Sequence, residues 1–325
     1  MRTLIIHNPK SGFGSDAIFQ FERSILKDGD ECVFRMLDDS FDLEAATEGA
    51  SAFDVVVASG GDGTVSELLF ELRDADVPVC VFPSGTANLL CASLGNSLEP
   101  QALARACRIG RTAPIDLGEM IWTSSNGERR SRGFAQMSGT GYDAEIMRAA
   151  MPNKAAKGEV AYFQAAIANL KPTVAHFTIT VDGETFERDG ISCIIANNSM
   201  IQGNLEIVPD CRMDDGKLDV IVLEVSEVTQ LLRPLAFGIV DRAGKKLGRP
   251  YLESFSGREI HVESSEKIPI EIDGDVEDCD VYGFDARVLP AAVDIVVDTL
   301  SSYGSVNDAP TQSRFGGTDD IAYPA

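Results

Sequence analysis

The chain has 325 residues, 44% of them hydrophobic, and a formal net charge of -23 from 51 acidic against 28 Lys and Arg residues. That length allows a full core and two domains, while the acidic balance excludes a nucleic-acid binder, which needs a basic footprint, and disfavours nonspecific attraction to anionic membranes. No run approaches the roughly 18 apolar residues that span a bilayer. The N-terminal apolar run is too short for a signal peptide, so a cytoplasmic protein is expected.

The first 115 residues alternate strand and helix, which implies a parallel sheet covered on both faces. A strand at 3–7 leads into the loop NPKSGFGS and a helix from about Asp16. A strand at 32–36 and a helix at 43–51 follow. The apolar run Val55 to Ala58 then enters Gly60-Gly61-Asp62-Gly63, and a helix striped by Leu68, Leu69 and Leu72 begins at once. A strand at 77–82 leads to PSGTAN and a helix at 89–95.

Three of these strand-to-helix turns are rich in Gly, Ser, Thr and Asn: Asn8 to Ser15, Gly60 to Thr64, and Ser84 to Asn88. In a parallel sheet they emerge at the carboxyl ends of the strands, where open α/β sheets bind ligands. Glycines let backbone amides approach a phosphate closely, and a helix N-terminus favours an anion. Asp62 stands inside this cradle, where a carboxylate points to a metal ligand, a proton acceptor, or both. The competing readings are local: Thr64 and Glu67 as a T-x-x-E capping box, and Asp62-Gly63 as a turn pair.

From about Ile115 short alternating strands appear, with hairpin signals at Ser124 to Gly127, Asp182-Gly183, Asp215-Gly216 and Asp273-Gly274. Helical stretches interrupt them at about 143–150, 159–170 and 227–247. The expected organisation is a nucleotide-binding α/β domain at 1–115, completed by about 289–305, and a mostly antiparallel, β-rich substrate domain at 116–288. A loose polar tail is expected at 306–325, and a cleft between the domains is expected to hold the second substrate. Arg242, Lys245, Lys246 and Arg249, and the smaller group Arg129, Arg130 and Arg132, read as solvated faces, with a membrane-facing patch as the alternative. Cys32, Cys80, Cys91, Cys107, Cys193, Cys211 and Cys279 lie singly and read as buried free thiols. His7, His176 and His261 have no metal-ligand neighbour at useful spacing and read as structural.

Asn8-Pro9-Lys10-Ser11-Gly12, Gly60-Gly61-Asp62-Gly63-Thr64 and Pro83-Ser84-Gly85-Thr86-Ala87-Asn88 together resemble the diacylglycerol kinase and sphingosine kinase catalytic-domain family, its bacterial lipid kinases above all. The resemblance continues in order through Ile115-Asp116, Gly139-Thr140-Gly141-Tyr142-Asp143-Ala144, Ala196-Asn197-Asn198, Pro209 with Asp215-Gly216-Lys217-Leu218-Asp219, and Asp273-Gly274-Asp275. It covers about residues 3 to 298. It implies an N-terminal domain resembling NAD kinases, a C-terminal β-rich domain, and ATP-dependent phosphorylation of a lipid hydroxyl, diacylglycerol-like or sphingoid, with Mg²⁺.

Carried over by motif, Asn8, Ser11 and Gly12 line the nucleotide site, Gly60, Gly61, Gly63 and Thr64 cradle the ATP phosphates, and Gly85, Thr86 and Asn88 contact nucleotide from the third loop. Phosphoryl transfer is chiefly positioning and charge neutralisation, with a carboxylate near the attacking hydroxyl. The resemblance implies Asp275 as proton acceptor, Asp62 as a metal ligand or alternative base, and Asp116 as a supporting acid at the domain junction. A structural metal of bacterial members would match Asp215 and the backbone carbonyl of Lys217, but Arg212, three residues before Asp215, makes a poor ligand.

The chain departs from the family pattern in places. Asp275 stands where glutamate is usual, and a shift of about 1 Å in a base is worth about 100-fold in rate. Met200 to Asn204 retains one glycine of a glycine-rich turn, and Leu37 stands where many relatives have threonine. Read locally, Asp273-Gly274-Asp275 is a hairpin turn with Glu271, Asp273, Asp275 and Glu277 on one exposed strand face. An oxidoreductase is the first rival, from Gly12-Phe13-Gly14-Ser15-Asp16-Ala17 and Asp38 or Asp39; it leaves the other two loops unexplained. An NAD kinase-like enzyme of a soluble substrate and a non-catalytic lipid-binding relative are the others. Peripheral membrane contact and a homodimer both stay open.

Overall fold

The computed structural model describes residues 1–11, 16–37, 40–150, 172–201, 205–208, 211–225 and 251–304. Gly12, Asp38, Asp39, Gln202 to Asn204, Pro209, the helical stretches expected at 159–170 and 227–247, the basic group Arg242 to Arg249 and the tail at 306–325 lie outside these residues. The chain divides into two compact units. One comprises Met1–Gly61, Glu71–Pro114 and the residues from Val293; the other comprises Asp62–Phe70 and Ile115–Ala292.

The first unit runs β1 (Arg2–His7), α1 (Ala17–Ile25), β2 (Glu31–Met36), α2 (Leu43–Thr47), β3 (Val55–Gly60), β4 (Val79–Pro83), α4 (Leu89–Ser93) and α5 (Pro100–Ile109), while α3 (Asp62–Leu72), between β3 and β4 in the chain, belongs to the second unit as far as Phe70. Its sheet has the order β2-β1-β3-β4 with every pair parallel, and the chain returns at Ile295 to lie parallel beside Val79. All six residues of β3 are buried, as expected for a parallel strand covered on both faces. Ile18, Phe21 and Ile25 of α1 recur at helical spacing and join Leu103, Ala104 and Cys107 of α5 over Ile5, Val57, Cys80 and Phe82. Helix α5 is an addition to the sequence reading. Its signals are Pro100 in the first turn and Gly110 just past the end, at φ 71°.

The second unit continues with β5 (Thr112–Thr123), β6 (Arg129–Phe134), β7 (Met137–Gly141), α6 (Tyr142–Ala150), β8 (Ala175–Val181), β9 (Glu184–Gly190), β10 (Ser192–Ala196), β11 (Met200–Ile201), β12 (Leu205–Glu206), β13 (Leu218–Leu223), β14 (Leu252–Gly257), β15 (Glu259–Ile272) and β16 (Asp275–Val296). Strands β14-β13-β10-β7-β15-β16 lie side by side and antiparallel. Strand β8 also pairs with β15 and carries β9, while β5 pairs with β16 and β6. Alternating residues of these strands, among them Phe177, Ile179, Ile260, Val262, Ile270 and Phe284, form its core. The expected α/β and antiparallel β architectures are both present.

Ser124 to Gly127, Asp182-Gly183 and Asp273-Gly274 close hairpins as expected. Asp215-Gly216 does not: it enters β13, which pairs with β10 and β14, whereas β12 pairs with β11. The capping box also fails. Helix α3 starts at Asp62 with Gly61 as its N-cap, so Thr64 already lies inside the first turn. All seven cysteines are free thiols, Cys80, Cys91, Cys107 and Cys193 buried and the others partly so. Among the described residues, no helix is long and apolar enough to cross a membrane.

Candidate active site

In the first unit, the turns after β1, β3 and β4 are tied to one another by short hydrogen bonds. The Asn8 amide donates to the Ser59 carbonyl at 2.8 Å, and the Gly61 amide donates to Ser11 Oγ at 3.1 Å. His7 Nδ1 and Ser59 Oγ are 2.8 Å apart, as are the hydroxyls of Ser59 and Ser84. One polar chain, His7-Ser59-Ser84, therefore runs across all three strand ends. Burial lowers the His7 pKa, favouring the neutral ring.

The turns also approach closely at their glycines. A Cβ on Gly85 would stand 2.7 Å from the Gly61 Cα, closer than real Cβ contacts come, so this crossing needs glycine. The third turn is closed on itself by Asn88, whose Oδ1 accepts from the Gly85 amide at 2.8 Å and whose Nδ2 donates to the Gly85 carbonyl at 2.9 Å. Asn88 does this from a left-handed backbone, φ 50°, a conformation Asn tolerates better than most residues. Thr86 is exposed at the tip.

In the second unit, the first turns of α3 are fixed from the side. Ser66 Oγ accepts from the Ala135 amide at 2.8 Å and donates to the Asp273 carboxylate. The Phe70 ring fills the space a side chain at Gly133 would need, with a Cβ there 1.8 Å from the ring. Arg132 on β6 then gathers three carboxylates: Glu67 at 2.5 Å, Asp275 at 2.8 Å and Glu277 at 3.1 Å. Its side chain is 23% exposed while that of Asp275 is 59% exposed, so Asp275 alone of the three faces mostly outward. Burial would lower the Arg132 pKa, but the surrounding carboxylates outweigh it and raise it. Burial raises the Glu67 pKa and repulsion by Asp275 and Glu277 adds to it, against the opposing pull of Arg132. Asp275 Oδ2 lies 3.4 Å from where a Cβ on Gly63 would stand. The residue after Asp62 thus has the Asp275 carboxylate beside it.

Asp116 has a different setting. It is 3% exposed, its Oδ2 accepts from the Gly216 amide and its Oδ1 from the Ala291 amide, each at 2.7 Å. Burial raises its pKa against those two bonds. These contacts make Asp116 a tie between backbone segments, and no described contact joins it to Asp62 or Asp275.

The Asp215 loop likewise satisfies itself. Asp215 Oδ1 accepts from the Lys217 amide at 3.0 Å, and Arg212 grips Asp214 through Nε at 2.7 Å and Nη2 at 2.8 Å. Among the described residues no three His, Cys, Asp or Glu groups converge to hold a metal. The Arg212 guanidinium, paired with Asp214, does not fit a structural cation at this loop.

The hairpin residues correct the local reading. Glu271 is 5% exposed, and the Asp273 carboxylate accepts from the amides of Ala135 at 2.8 Å and of Gln136 and Met137 at 3.0 Å. Neither lies on an exposed face. Arg132, expected in a solvated trio, and His7, expected to be structural, thus belong to the site, as does Ser59, which no sequence motif marks.

A family model described as "Diacylglycerol kinase catalytic domain" matches residues 2–120, and one described as "YegS C-terminal NAD kinase beta sandwich-like domain" matches residues 136–297. The diacylglycerol kinase of Bacillus subtilis is 25% identical over 286 residues, 84% of this chain and 89% of that protein. That of Mycobacterium tuberculosis is 30% identical over 187 residues, 57% of this chain and 59% of that protein. In fold, the chain is similar to a diacylglycerol kinase crystal structure from Bacillus anthracis, at TM-score 0.66 and 21% identity over 92% of this chain and 97% of that one. Yeast NADH kinase is a more distant fold neighbour, at TM-score 0.51 and 11% identity over 91% of this chain and 82% of that one. With the two models in tandem along its length, the chain belongs to the diacylglycerol kinase catalytic-domain family.

Proposed function

We propose that this protein is an ATP-dependent lipid kinase that phosphorylates the hydroxyl of a diacylglycerol-like or sphingoid lipid. The observation that carries the reading is the Asp275 carboxylate beside Gly63, in the first turn of the helix that opens from the Gly60-Gly61-Asp62-Gly63 segment. A helix N-terminus capped by glycine brings no side chain to block an anion, and its dipole favours one. In this reading Gly60, Gly61, Gly63 and Thr64 receive the phosphates, Asn8 and Ser11 border the nucleotide from the first turn, and Gly85, Thr86 and Asn88 do so from the third.

Asp275 accepts the proton of the lipid hydroxyl as its oxygen bonds to the γ-phosphorus and the bond to the β-phosphate oxygen breaks, releasing ADP. Arg132 holds Asp275 by an ion pair at 2.8 Å. A divalent ion, Mg²⁺ in this reading, suits the donor chemistry at Asp62, since such ions are commonly held by one or two carboxylates plus substrate phosphates, and it would neutralise phosphate charge there. The curated relatives named diacylglycerol kinase favour a lipid acceptor.

Turnover of ATP is to be measured against a panel of diacylglycerol, monoacylglycerol, sphingosine and phosphatidylglycerol, with NAD as the soluble control. Phosphorylated lipid is the expected product. Asp62→Asn and Asp275→Asn should each lower turnover by about 100-fold or more with thermal unfolding little changed. Turnover of NAD alone, or of no acceptor, sinks the lipid reading, and near-normal rates in Asp275→Asn remove its assigned role.

A further inference from the structure

Behind the hairpin that ends at Asp275 stand two buried carboxylates that the reaction does not use. Glu271 on β15 accepts from the Gly139 amide through Oε1 at 2.9 Å and from the Gly274 amide through Oε2 at 2.8 Å. Gly274 directly precedes Asp275, so Glu271 holds the residue on which Asp275 hangs. Asp143, in the first turn of α6, approaches from the other side. A Cβ on Gly139 would stand 1.4 Å from Asp143 Oδ2 and 2.8 Å from Glu271 Oε1, so both carboxylates crowd the same point. Asp143 Oδ1 is buried with no hydrogen-bond partner.

Two carboxylates this close and this dry cannot both be ionised at little cost. Two charged groups that face them make ionisation harder, Glu145 repelling Asp143 and Asp273 repelling Glu271, while the buried Cys193 thiol, pushed up by burial and by Asp143, stays neutral beside them. Ser192 and the amides of Gly139 and Gly274 act the other way.

We infer that Asp143 and Glu271 share one proton at neutral pH, and that this shared proton keeps Glu271 in place as a positioning residue for Asp275. Burial first raises both groups, Asp143 to about 7 with repulsion by Glu145 added, and Glu271 well above its ordinary value with repulsion by Asp143 added; such a pair titrates as a unit. Folded-state pKa values above the unfolded ones mean that the stabilisation is fully present below the ordinary carboxylate range. It is lost as pH rises through about 7 and beyond. Removing the last proton leaves two buried charges, which pushes Glu271 off Gly274 and loosens the hairpin.

The part of this inference that concerns Asp275 rests on the kinase reading; the shared proton does not. Wild type, Asp143→Asn and Glu271→Gln are to be unfolded thermally from about pH 5 to about pH 9. The wild-type midpoint should fall across this range and that of Asp143→Asn by less than half as much, because an amide has no proton to lose and gains no charge. Infrared spectra at neutral pH should show the carbonyl stretch of a buried protonated carboxyl in wild type and not in Asp143→Asn. Glu271→Gln should lower kcat by about tenfold or more, as displacement of a catalytic group does, leave the KM for ATP within about twofold, and remove the alkaline fall of the pH profile. Equal midpoint slopes without the infrared band overturn the shared proton. Wild-type kcat in Glu271→Gln overturns the positioning role. If wild type phosphorylates nothing, the kinase reading fails while the unfolding and infrared measurements still decide the proton.

Discussion

Asp273 has a φ of 47° and is followed by Gly274 at 87°, the paired left-handed conformations that close a two-residue hairpin. Its carboxylate also accepts from three amides and the Ser66 hydroxyl. Asp273→Ala leaves those donors buried and unpaired, at about 1–3 kcal/mol for each that finds no water. A loss of about 3 kcal/mol or more is expected in urea unfolding. Asp273→Asn keeps one acceptor oxygen and should lose less; a loss under about 1 kcal/mol for Asp273→Ala would show that water or another residue replaces it. Period-two reading placed Glu271 and Asp273 outward because the preceding strand alternates cleanly. The pairing of β15 with β16 shifts register between Pro269 and Glu271, and Ile268 to Ile272 are all buried. Where a strand is covered on both faces, alternation no longer separates inside from outside. The remaining signal was the single acid in the apolar run IPIEI. Arg132 was hidden differently, since nothing local distinguishes it from Arg129 and Arg130. Its partners come from α3 and β16, far away in sequence.

At the scale of elements, the three strand-end turns of the first unit were legible because Gly, Ser, Thr and Asn punctuate strands that are otherwise apolar. The link among them was not, because a hydroxyl pair such as Ser59 and Ser84 has no pattern before the strands are in register. Gly85 gives the sharpest test of that link. In Gly85→Ala the new methyl meets the Gly61 backbone, so two turns must separate rather than one side chain rotate. Affinity for ATP should fall by about tenfold or more, about 1.4 kcal/mol, while the sheet beneath keeps its unfolding midpoint within a few degrees. Calorimetric titration with ATP checks this, and unchanged affinity would mean that the turns do not form one nucleotide surface. The start of α3 was misread for a related reason. The T-x-x-E pattern is a local signal, but Glu67 is taken by Arg132 and Ser66 by Asp273, and these partners fix the helix from its first turn.

For the whole molecule, under the lipid kinase reading proposed above, charge sets the terms on which the substrate is reached. A net charge of -23 repels an anionic surface over about 30 Å at 0.01 M salt but only about 10 Å at 0.1 M. A lipid kinase with this balance should therefore work faster on diacylglycerol in phosphatidylcholine vesicles than in vesicles rich in phosphatidylglycerol, and the difference should shrink as salt rises. The opposing term is local: Arg242, Lys245, Lys246 and Arg249 fall within eight residues, and each basic residue near an anionic leaflet contributes about 1 kcal/mol. Contacts of that kind would act against the long-range repulsion, so the two terms have opposite signs. Initial rates on both vesicle types at about 0.02 M and about 0.2 M salt separate them. Slower turnover on anionic vesicles, relieved by salt, means that net charge governs the approach. Faster turnover on them, weakened by salt, means that a basic patch docks first, and reversing Lys245 and Lys246 to Glu should then abolish the preference while leaving turnover on phosphatidylcholine vesicles as it was.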